Sequence, residues 1–74
     1  MRYMVLMYDD GKYVAVDDAS GGEPYPTDRL DMARIWAEPF FDRMNRYAKT
    51  CRLNVKAVEV VDARRLGTLL SEGR

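Results

Sequence analysis

The chain predicts a small α+β fold: an antiparallel sheet in the order β-β-β-α-β with one main helix packed on one face. Three observations carry this reading. Two short runs rich in Val and Tyr, residues 2–8 and 12–16, flank Asp9-Asp10-Gly11, the residue types of a tight hairpin turn. Phe40, Met44, Tyr47, Ala48 and Cys51 recur at spacings of three and four, which marks one apolar stripe on a helix. Val55-Lys56-Ala57-Val58-Glu59-Val60-Val61 is dense in β-branched residues and reads as a closing strand.

A length of 74 residues leaves room for one domain, expected over residues 1–62 and followed by a tail over 63–74. A chain this short buries only about 60% of the surface it exposes when unfolded, so its core is thin. In the first hairpin, a two-residue type I′ turn at Asp10-Gly11 pairs Tyr8 with Tyr13, Met7 with Val14 and Leu6 with Ala15. Alternation then gives one face Val5, Met7, Val14 and Val16, and the other Met4, Leu6, Tyr8, Tyr13 and Ala15.

The stretch Asp17–Asp28 reads as an ordered polar loop. Gly21 and Gly22 can take positive φ, while Pro24 and Pro26 lack an amide and exclude a helix or a central strand. Thr27 or Asp28 then caps a short helical turn, and Arg34–Ala37 forms an edge-like strand with Ile35 and Trp36 on opposite faces. Pro39 suits the first turn of the main helix, expected over residues 38–52, where its missing amide would be unpaired anyway. Asn54 is the expected left-handed residue after that helix. The tail, with Leu66, Leu69 and Leu70, is either a short helix or frayed.

Composition excludes several kinds of chemistry. Histidine is absent and Cys51 is the only cysteine, which removes histidine-based triads, the commonest zinc ligands and any intrachain disulfide. The apolar start is too short for a signal peptide's hydrophobic region or a membrane span, so a cytoplasmic protein is expected. Asp17, Asp18, Ser20 and Glu23 are clustered oxygen donors but lack the spacing of a calcium loop. No metal, no cofactor and no enzymatic activity is expected.

Twelve basic and twelve acidic residues cancel, which weighs against nucleic acid as a partner. Their distribution is uneven, with four basic and nine acidic residues up to Asp42, and eight basic and three acidic from Arg43 onward. Arg43, Arg46, Lys49 and Arg52 lie on the polar side of the helix and carry the alternative reading, a small nucleic-acid-binding protein.

Both faces of the hairpin are apolar, and one helix covers only one of them. The face with Leu6, Tyr8 and Tyr13 can be covered by the C-terminal leucines, by a second copy in a homodimer, or by a foreign protein. Tyr8 and Tyr13, with Asp17, Asp18, Glu23 and Tyr25 on the adjacent loop, are the candidate partner-binding residues.

The segments Arg2-Tyr3-Met4-Val5-Leu6, Asp10-Gly11, Tyr13, Val16-Asp17-Asp18-Ala19-Ser20-Gly21-Gly22, Pro24-Tyr25 and Ala33-Arg34-Ile35-Trp36 give the chain a further aspect. It resembles small uncharacterised bacteriophage and prophage proteins built as a hairpin, an S-G-G-x-P-Y loop, a short aromatic strand, a helix and a closing strand. Glu23, where an aromatic is usual, and Pro39-Phe40-Phe41, in place of a Glu- and Ala-rich helix start, depart from that pattern. The resemblance implies an accessory protein of a mobile element that binds a host or phage protein, such as an inhibitor of a host defence system. It supplies no catalytic residues.

Overall fold

The computed structural model describes residues 1–60. Its elements are β1 (Tyr3–Tyr8), β2 (Tyr13–Asp17), β3 (Glu23–Thr27), β4 (Ile35–Ala37), α1 (Phe41–Thr50) and β5 (Val55–Glu59), with single 3-10 turns at Asp18–Ser20, Leu30–Met32 and Glu38–Phe40. The small antiparallel sheet and the one main helix are those expected, with one strand more. The tail over residues 63–74, and its role as a cover for the sheet, lie outside the described residues.

β1 is the hub of the sheet. β5 pairs along one edge, from Met4 opposite Glu59 to Tyr8 opposite Val55. The other edge is shared: β2 meets it at Met7 opposite Tyr13, and β4 at Tyr3, Met4 and Val5 opposite Ala37, Trp36 and Ile35. Where β4 displaces β2, the Arg34 amide donates to the Val14 carbonyl at 3.1 Å and ties the two strands together.

The additional strand is β3, within the stretch expected to be only a loop. Val14 faces Pro26, Ala15 faces Tyr25 and Val16 faces Pro24. Prolines two residues apart lose their amides on the same side of the strand, so the other side still pairs with β2 and the outer edge cannot template another strand.

The β1–β2 register differs by one residue from the expected one. Tyr8 donates to the Lys12 carbonyl at 2.8 Å and Gly11 donates to the Tyr8 carbonyl at 3.0 Å, closing a three-residue loop. Gly11 alone takes positive φ, at 89°, and the Asp10 carboxylate accepts the Lys12 amide at 3.0 Å. A type I′ turn would force Asp10 into the left-handed region, whereas this bulged loop asks that only of glycine.

The shift moves each β2 side chain to the other face. Leu6 and Val14 now meet Met44 of α1, each at most 3% exposed, with Met4, Tyr8, Trp36, Phe41, Tyr47, Ala48, Leu53 and Val55 packed around them. Burying such side chains contributes about 1.5–3 kcal/mol each. Tyr8 and Tyr13 therefore lie on opposite faces, and Leu6, Tyr8 and Tyr13 do not form the single surface expected for a homodimer, because Leu6 and Tyr8 pack on the helix side.

The helix starts at Phe41, after the 3-10 turn that holds Pro39. Phe41, Met44 and Ala48 consequently point inward, and Phe40, assigned by spacing to the apolar stripe, is 46% exposed. At the other end Leu53 donates to the Ala48 carbonyl at 2.9 Å and Arg52 to that of Lys49 at 3.1 Å, the paired bonds of a Schellman cap. The left-handed residue is Arg52, with φ 55°, in place of Asn54. The Asn54 amide instead donates to Asp9 at 2.9 Å and fastens β5 to the first hairpin.

Tyr47 joins helix to loop. Its hydroxyl donates to the Gly22 carbonyl at 2.8 Å, and its ring lies 5.9 Å from that of Trp36. Burial first, and then the neighbouring Cys51 thiol, push its phenol up to about 12.

Arg52→Gly relieves the left-handed strain and is expected to raise stability in urea denaturation by about 0.5–1 kcal/mol. For Tyr47, a folded value of about 12 above the ordinary 10 means that its contribution is complete below pH 10 and is lost as pH rises from 10 to about 12. Tyr47→Phe is expected to cost about 1 kcal/mol at neutral pH through the lost hydrogen bond and to flatten the alkaline decline seen by circular dichroism.

Candidate functional site

The far side of the sheet, away from α1, gathers most of the candidate residues. Tyr13 lies opposite Thr27, Ala15 opposite Tyr25 and Asp17 opposite Glu23, and the Met7–Tyr13 pair places this set on the side away from Leu6. Tyr13, Tyr25, Asp17 and Glu23 thus share one face, around a fully buried Ala15. Tyr8, expected among them, is on the helix side. Burial, then the charge of Asp10 and of Cys51, push its phenol above the ordinary value.

Sequence reasoning placed Val5 and Met7 opposite Tyr13, whereas the observed register brings them onto its face. There Ile35 and Val58 flank Val5, and Ala37 lies beside Tyr3. Val5 is buried, Tyr3, Met7, Tyr13, Ile35 and Val58 are half-buried, and Tyr25 is 37% exposed. Alternation alone would have found this set once the hairpin register was right.

The acidic end is held by its backbone. The Asp17 carboxylate accepts the Ala19 amide at 3.0 Å, and its carbonyl accepts the Gly22 amide at 2.9 Å. Gly21 and Gly22 sit at φ 82° and 89°, positions that side chains resist. Asp18 is exposed in the 3-10 turn, so Asp17 is committed to the turn and Asp18 and Glu23 remain exposed at its rim. A shallow cleft of about 260 Å³ runs between Asp17, Ser20, Glu23, Pro24 and Tyr25. Among the described residues no three of His, Cys, Asp or Glu converge as metal ligands.

A second feature lies at β4. A groove of about 340 Å³ is lined by Tyr3, Arg34, Ile35, Trp36, Ala37, Phe40 and Arg43. The Arg34 guanidinium stands 5.1 Å from the Trp36 ring and that of Arg43 stands 5.5 Å from the Phe40 ring. Arg46, Lys49 and Arg52 are exposed beyond it. Of this feature the sequence showed the helix cations but neither Arg34 nor the rings, because the apolar stripe had assigned Phe40 to the core.

No described helix is long and apolar enough to cross a membrane. Compared with known proteins, the chain matches no family model, and neither a curated protein nor a solved structure proves significantly similar to it.

Proposed function

We propose that the chain is a non-enzymatic protein-binding module, an accessory protein of phage or prophage origin that acts by occupying a surface on a host protein. The phage and host parts of this reading rest on the resemblance of the S-G-G-x-P-Y region and its flanking segments. The binding part rests on one observation: Tyr13 and Tyr25 share the face away from α1 with Asp17 and Glu23.

Aromatic rings edged by carboxylates suit a partner segment that carries arginine or lysine. A guanidinium can lie against a tyrosine ring while its charge is met by Glu23 or Asp18. Tyrosines held on paired strands lose little freedom on binding, so more of the contact energy is retained. An inhibitor of a host defence system would use such a surface by covering a basic site on its target.

Capture from bacterial lysate on the immobilised chain, read by mass spectrometry, tests this. Tyr13→Ala with Tyr25→Ala is expected to reduce capture of a specific protein tenfold or more, with helix content unchanged by circular dichroism. Tyr25→Ala with Glu23→Lys, both at exposed positions, gives the same result without touching the half-buried Tyr13. Equal capture by wild type and both variants, or no specific capture at all, overturns the reading. A dimer mass by light scattering that falls to a monomer in the same variants would assign the face to a second copy.

A further inference from the structure

We propose that the groove at β4 is a binding site for single-stranded nucleic acid, with bases against Phe40, Trp36 and Tyr3 and phosphates against Arg34 and Arg43. Charge and shape together select this occupant. No carboxylate lines the groove, and its two cations already stand over aromatic rings, at 5.1 and 5.5 Å from the ring centres. Alternating flat apolar and anionic groups are what a nucleotide chain presents, and stacking on exposed rings beside arginines tolerates any base. An acidic peptide would satisfy the guanidiniums but bring no flat group to the rings.

The surface continues past the groove. Arg43, Arg46 and Lys49 follow each other by three residues along the exposed side of α1, steps of about 4.5 Å along a helix axis. The zero net charge of the whole chain does not count against this, because the groove itself is lined by two arginines and no carboxylate. Phe40, 46% exposed, supplies the aromatic platform that a row of helix cations lacks.

Trp36 is the only tryptophan in the sequence, so titration with a ten-nucleotide oligo(dT) can be followed by its fluorescence. Saturable quenching is expected, weakening with salt with a log–log slope of about 2 if three phosphates are held, and a duplex of equal length is expected to bind more weakly. Arg34→Glu with Arg43→Glu should weaken binding tenfold or more. Phe40→Ala should weaken it about fivefold or more and leave the salt slope unchanged, since stacking is not a counterion effect. These three side chains are exposed, and Arg46→Glu with Lys49→Glu probes the same path from the helix alone.

No saturable binding at low salt overturns the proposal. So does binding that persists in the groove variants, or equal competition by a glutamate decapeptide, which would make this a site for acidic peptides. Tyr13→Ala with Tyr25→Ala is expected to bind the oligonucleotide like wild type, which separates the failure of this site from that of the far-face reading.

Discussion

One strand has two edges, and β1 must satisfy three neighbours with them. It does so by giving one edge to β5 and dividing the other between β2 and β4. A backbone group left unpaired at the changeover would cost about as much as a lost hydrogen bond, and the Arg34 amide meets the Val14 carbonyl there. β2, which meets β1 only at Tyr13, pairs along its other edge with β3 from Tyr13 to Asp17. The acidic turn between β2 and β3 is then brought within reach of α1, where Tyr47 holds the Gly22 carbonyl.

The division explains what could be read from the chain. Hydrophobic runs, turn residues and the helical period lie in local sequence, and they located the hairpin, the β4 strand, the helix and the closing strand. The register did not follow, because Asp-Gly serves both a two-residue turn and a three-residue loop with glycine last. What separates them is whether Asp10 takes positive φ or spends its carboxylate on the Lys12 amide. β3 was hidden for a related reason: two prolines exclude a strand with neighbours on both sides but suit one with a single neighbour, and edge position is a tertiary fact.

The candidate site was legible in its members more than in its arrangement. Tyr13, Tyr25, Asp17 and Glu23 come together because β2 pairs with β3, not because a loop folds beside a hairpin. A shift of one residue also exchanged Tyr8 for Met7 as the neighbour of Tyr13, since side-chain period and register error are both small integers. The helix end shows the same limit. Asn is the better left-handed residue by intrinsic preference, yet Arg52 occupies that position because Leu53, one residue later, belongs in the core. The half-buried Leu53 packed on the core, together with the two capping hydrogen bonds, offsets the about 1–2 kcal/mol that the left-handed backbone asks of a residue with a Cβ.

The charge asymmetry along the sequence becomes a division of surfaces through the same strand order. β3 and its acidic turn lie beyond β2, and β4 with its arginine-edged groove pairs with the Tyr3–Val5 half of β1 along the edge that β2 leaves. Each surface has aromatic rings beside charges of one dominant sign, Tyr13 and Tyr25 with Asp18 and Glu23, Phe40 and Trp36 with Arg43 and Arg34. Surfaces of opposite sign in a single small protein would attract each other in a second copy unless geometry prevents it. The outer edge of β3 is closed to strand pairing by Pro24 and Pro26, and the Arg34 and Arg43 guanidiniums are already engaged with rings of their own chain. Both devices lower the gain from self-association and leave each surface to a ligand whose chemistry competes better for it.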